Sequence, residues 1–106
     1  SFMVEKNLSY IFKLLHQYKL KVNLIQNSAI SFSVCLEDNY SNFTTFFNEL
    51  TPSFNVRFNR NVTLFTIRHF DSKSIQEIEK KGTVLLKQIS RETVQLIIDE
   101  ENNYEN

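Results

Sequence analysis

Apolar residues recur along this chain at two different spacings, and the switches between them mark out its elements. Leu8, Ile11, Phe12, Leu15 and Tyr18 follow the i, i+3, i+4, i+7 rule of an amphipathic helix. Asn7 is placed to cap that helix, because its side-chain oxygen can accept from an orphan N–H two or three residues on. Over residues 21–36 the spacing changes to two. Val22 and Leu24 alternate with polar neighbours, and Ile30, Phe32, Val34 and Leu36 alternate with Ser31, Ser33 and Cys35. Period two puts successive side chains on opposite faces of a strand. Strands are therefore expected over 20–25 and 30–36, around a polar cluster of Asn23, Gln26, Asn27 and Ser28. Helical spacing returns with Phe43, Phe46, Phe47 and Leu50, in a helix that starts at Ser41 or a neighbour and stops before Pro52.

The second half begins with Phe54, Val56 and Phe58 alternating with Asn55 and Arg57, which predicts a strand over 53–59. Asn59-Arg60-Asn61 predicts a tight reversal, since Asn tolerates positive φ better than most residues. A strand is expected over 62–70. Asp71 or Ser72 then caps a short helix carrying Ile75 and Ile78, with Gly82 as its left-handed terminator. Two strands, 83–89 and 93–99, surround Ser90-Arg91-Glu92. The tail over 100–106 has no periodicity and is expected to fray.

The resulting class is α+β. The first five elements lack only a leading strand to complete βαββαβ, the ferredoxin-like split unit of antiparallel sheet with helices on one face. Residues 1–52 supply most of one unit, which the strand over 53–59 would complete. Residues 60–99 read as a second, abbreviated copy. The abrupt start at Ser1 suggests a piece of a longer protein, with the leading strand upstream.

Composition narrows the chemistry. Twelve basic and twelve acidic residues cancel. That opposes a nucleic-acid partner, which demands a surplus of Lys and Arg on one face. A phosphate-cradling loop needs several glycines, and this chain has one, Gly82. One cysteine, Cys35, cannot make an internal disulfide, which suits a reducing cytoplasm. No apolar run approaches the ~20 residues of a membrane span. His16 and His69 have no Cys or carboxylate at ligand spacing, so no metal site is expected. Cys35 has no activating partner in the pattern. Arg57, Arg60, Arg68 and Arg91 are scattered and read as solvated charges. Ser31 and Ser33 read as a sheet surface.

The segment 21–36, KVNLIQNSAISFSVCL, resembles the effector-site hairpin of the ACT domains at the C-terminal end of aspartate kinases, whose pattern is roughly V-D-x-I-x-x-S-E-x-S-h-S. It is closest to the N-S-A-I-S-F variant of Bacteroidetes-like bacteria. The similarity extends to 54–70 (FNVRFNRNVTLFTIRHF) and 84–98 (VLLKQISRETVQLII). The resemblance implies the regulatory ACT region of an aspartokinase, which makes 4-phospho-L-aspartate from ATP and L-aspartate. It implies a homodimer through ACT sheets, contact with its own kinase domain, and an amino-acid effector, lysine or threonine. Catalytic residues, and the ATP and Mg of the parent kinase, belong to a domain outside this chain, so no cofactor is expected here.

Carried over position by position, the resemblance puts Lys6, Asn7 and Leu8 at the loop entering the first helix, where free N–H groups suit a carboxylate. Asn23 falls where relatives carry an Asp, and Asn27 and Ser28 fall at a Thr-Ser pair. Lys6 replaces a glycine, and Asn23 is neutral where Asp would pair with an ammonium. A charge-assisted hydrogen bond contributes about 1.5–3 kcal/mol against about 1 for a neutral one. The alternative is that Asn23, Asn27 and Ser28 satisfy backbone groups at a strand crossing, and that the chain is an assembly module without a ligand.

Overall fold

The computed structural model describes residues 2–101, with side chains from Glu5 onward. The class is α+β, with three helices and two antiparallel sheets of two and three strands, compatible with a ferredoxin-like ACT-type fold. The chain divides into two compact units, Ser1–Arg57 and Phe58–Asn106.

Unit 1 runs α1 (Phe2–Gln17), β1 (Val22–Asn27), β2 (Phe32–Leu36) and α2 (Tyr40–Leu50). α1 starts five residues before the expected cap at Asn7. Phe2 to Lys6 contain no Gly or Pro to stop helix propagation, and Asn7 is taken into the helix. The helix ends in a Schellman motif. Leu20 N–H donates to the Leu15 carbonyl at 3.0 Å and Lys19 N–H to the His16 carbonyl at 3.1 Å. Lys19 occupies the left-handed position at φ 54°, where glycine is usual. Leu15 and Leu20, the apolar pair of this motif, both enter the core with Leu14, Phe46 and Leu50. Each such burial contributes about 1.5–3 kcal/mol. α2 is capped by Asn39, whose side chain accepts from the Asn42 N–H.

β1 and β2 pair antiparallel from Val22–Leu36 to Asn27–Phe32, with an irregularity between Val22 and Leu24. Asn23 is the extra residue of that bulge. The strand expected over 53–59 does not form, and no strand lies between α2 and Thr63. Phe54 and Val56 instead pack against the unit 1 core. Their alternation is satisfied by burial alone. In a split βαββαβ unit the fourth strand pairs with the first, and among the described residues unit 1 has no first strand for it to join.

Unit 2 runs β3 (Thr63–Arg68), α3 (Ser72–Glu79), β4 (Thr83–Ile89) and β5 (Thr93–Asp99), with sheet order β3-β5-β4. β5 is antiparallel to both neighbours and lies between them, which is the split βαβ arrangement. Val94, Leu96 and Ile98 are fully buried under Phe65, Ile67, Phe70, Ile75 and Ile78. α3 opens with a reciprocal cap. Ser74 N–H donates to Asp71 Oδ1 at 2.8 Å, and Asp71 N–H donates to Ser74 Oγ at 3.0 Å. The reversal at Asn59-Arg60-Asn61 is a loop, not a hairpin, although Asn61 does take a positive φ of 57°. Gly82 is not a left-handed terminator, since no glycine has positive φ. Glycine is required there by close approach: a Cβ would sit 2.3 Å from the Asp99 carbonyl oxygen. Residues 102–106 of the expected tail lie outside the described residues.

The two units share one plan at an offset of 62 residues. Val22–Leu36 pairing in unit 1 matches Val84–Ile98 in unit 2, and Asn27–Phe32 matches Ile89–Val94. The strand irregularity recurs between Val84 and Leu86. α1 ends at Gln17 and α3 at Glu79. Even the turns agree: Ser28 N–H donates to the Ser31 carbonyl and Ser90 N–H to the Thr93 carbonyl, each at 2.8 Å.

Candidate functional site

The tip of the β1–β2 hairpin is held by its own serines. Ser28 Oγ lies 2.7 Å from Ser31 Oγ, and Ser31 N–H donates to Ser28 Oγ at 3.1 Å. This closes a polar turn from which Ile30 projects almost fully into solvent, at 97% exposure. α1 passes beside the turn. Phe12 meets Phe32 edge to face at 5.7 Å between ring centres, and Tyr10 stacks on Phe54 at 6.4 Å. Together these elements bound a shallow hollow of about 180 Å³, lined by Asn7, Leu8, Ile11, Asn27, Ser28, Ala29, Ile30, Ser31, Phe32 and Phe54.

Four of the expected site residues, Asn7, Leu8, Asn27 and Ser28, meet at this hollow. Lys6 and Asn23 are not among its lining residues, and both are exposed. Asn23 sits on the bulge at the far end of β1, roughly 13 Å from Asn27 at 3.3 Å per residue. The electrostatic reason for expecting Lys6, Asn7 and Leu8 also changes. They lie more than a turn inside α1, where N–H groups bond to carbonyls four residues back. The hollow is therefore built from side chains and the hairpin turn, not from a helix end. Ile11, Phe32 and Phe54 are the wall residues that sequence reasoning left out. Ile11 follows Asn7 and Leu8 by four and three residues, so its place on their face was legible. Phe54 was not, because it was assigned to a strand.

The counterpart turn in unit 2 carries a more open hollow of about 470 Å³, lined by Ser90, Arg91, Glu92 and Thr93 alone. A single turn offers too few walls to enclose a ligand. His69 and Phe70, the counterparts of Asn7 and Leu8, precede α3. His69 has φ 53° and donates its N–H to the Glu92 carbonyl at 2.7 Å.

Cys35 pairs with Leu24 across the hairpin and is half-buried. Burial pushes its thiol pKa up, which keeps it protonated and a poor nucleophile at neutral pH. Tyr18 donates to Glu49 Oε1, linking the end of α1 to α2. That hydrogen bond, with desolvation, raises the Tyr18 pKa. Among the described residues no three of His, Cys, Asp and Glu converge as metal ligands, and no helix is long and apolar enough to cross a membrane. No family model matches the chain, and no curated protein matches it.

Proposed function

We propose that this chain is the regulatory ACT-type region of a cytoplasmic aspartate kinase and that the hollow of unit 1 binds an amino-acid effector. One observation carries the reading: Asn7, Leu8, Asn27 and Ser28, distant in sequence and marked by the resemblance, line one concavity. Amides and hydroxyls at its rim offer both donors and acceptors to a zwitterion. Apolar side chains offer a wall for the rest of the ligand. Phosphoryl transfer from ATP to aspartate belongs, in this reading, to a kinase domain of the parent protein. The effector acts on it by binding two states of the protein unequally, typically with about 1–3 kcal/mol of coupling.

The test is an NMR titration of the folded chain with each common amino acid. Saturable shifts are expected at the amides of Asn27 and Ser28, and Ser28→Trp is expected to abolish them. A folded sample that responds to none of the amino acids at millimolar concentration would refute effector binding.

A second reading, an assembly module without a ligand, has its own support. β2, Phe32–Leu36, carries no charge or proline and pairs only with β1 among the described residues. Edge strands usually carry such protective residues. An uncharged edge is suited to a homodimeric sheet. Assembly that persists unchanged in Ser28→Trp, together with silence in the titration, would favour this reading.

A further inference from the structure

We infer that the unit 1 hollow selects a small amino acid with an uncharged side chain and discriminates against lysine. This rests on the effector reading above and specifies the chemistry of the ligand. Leu8, Ile11, Phe32 and Phe54 supply the walls, and Asn7 and Asn27 stand exposed at the rim. Every lining side chain among the described residues is neutral. The charged residues of α1 nearest to Asn7, Glu5 and Lys6, are exposed and do not line the hollow.

A zwitterion can keep its ammonium and carboxylate at the wet rim, where amides and the Ser28–Ser31 turn replace some of their water. Its side chain then enters the apolar part. An ammonium or carboxylate placed there loses hydration without gaining a counter-charge. An aliphatic side chain gains by burial instead. The size agrees: about 180 Å³ is the liquid volume of roughly six waters, which suits a ligand of one small residue.

The test is calorimetry on the full chain with valine, isoleucine, methionine and threonine, against lysine and glutamate. At least one neutral amino acid is expected to bind about tenfold or more tightly than either charged one. A second arm uses Leu8→Glu, which puts a carboxylate on the apolar wall where the ligand's side chain lies. It should bring lysine affinity up about tenfold relative to the neutral ligands. Lysine or glutamate binding as tightly as the neutral amino acids would overturn the inference while leaving the effector reading intact. Binding by none of the six, in a sample whose melting transition shows it folded, would overturn both.

Discussion

Unit 1 and unit 2 build the same hairpin and cover it differently. In unit 2 the second strand of the hairpin, β5, has β3 on its other side. In unit 1 its counterpart β2 has no such neighbour among the described residues, and a second helix, α2, completes the core instead. The helices differ as well. α1 has 16 residues and α3 has 8, yet they end at equivalent positions. The extra turns of α1 all lie at its start, where they run alongside the hairpin tip. The counterparts of Asn7 and Leu8 in unit 2, His69 and Phe70, precede the helix, and Phe70 is drawn into the core. A walled hollow at the turn thus follows from helix length, with the hairpin held constant. The same short segment, repeated, becomes a candidate site or a plain turn according to what lies over it.

The sharpest way to break this equivalence is at Leu20 and Gly82, which occupy matching positions. Leu20 is buried at 6% exposure, while Gly82 has the Asp99 carbonyl where its Cβ would be. Leu20→Ala should destabilise unit 1 by about 2–5 kcal/mol. Gly82→Ala should destabilise unit 2 by about 1–3 kcal/mol through forced separation of β4 from the end of β5. Hydrogen exchange read amide by amide checks both. Faster exchange should appear over β1 and α1 in the first variant and over β4 and β5 in the second. A neutral Gly82→Ala would show that the close approach relaxes freely.

A smaller effect of opposite sign is expected at the matching lysines. Lys19 sits at positive φ and Lys81 does not. Lys19→Gly should stabilise the protein by up to about 1 kcal/mol by removing the Cβ that strains a left-handed backbone position. Lys81→Gly should cost about 1 kcal/mol, because it adds chain entropy and removes the ammonium lying 5.9 Å from the Phe65 ring centre. Denaturant midpoints of the two variants, moving in opposite directions, are the measurement.

The smallest effect separates the two helix starts by pH. Backbone and side-chain hydrogen bonds from Ser74 hold the Asp71 carboxyl below its usual range. Its folded pKa is depressed, so its contribution is complete above the unfolded value of about 3.9 and is lost as pH falls through the folded pKa. Asp71→Asn should therefore flatten the acid limb of the stability profile for β4 and α3 amides. α2, capped by the uncharged Asn39, should show no such limb from its own cap. An unchanged acid limb in Asp71→Asn would remove the cap from the explanation.

Much of this arrangement could be read from residue patterns, for identifiable reasons. β4 and β5 appeared at their full expected bounds because Gly82 and the Ser90-Arg91-Glu92 turn punctuate them and their apolar content is high. The Asp71 cap was legible from one side chain in front of a helical spacing. The start of α1 was not. Nothing in residues 2–6 breaks a helix, and Asn7 resembles a cap whether or not the helix continues past it. The alternation of Phe54, Val56 and Phe58 described burial correctly for the first two and pairing wrongly, because period two reports which faces are covered and says nothing about a neighbouring strand. Gly82 was recognised as special for the wrong cause: a sequence shows that a side chain is missing, and only backbone neighbours show what space it leaves. Of the site residues, the neighbours Asn7 and Leu8 on α1 and the neighbours Asn27 and Ser28 in the hairpin came together. Asn23 did not, because it stands at the far end of β1, four strand residues from Asn27.

The stretch joining the units has a practical meaning for anyone handling this protein. Between α2 and β3 the backbone forms neither helix nor strand, and Arg57 and Arg60 are both exposed there. A trypsin-like protease nicks exposed, irregular chain most readily. A first cut is expected in this seam, and each of the two pieces keeps a whole hairpin and its covering helix.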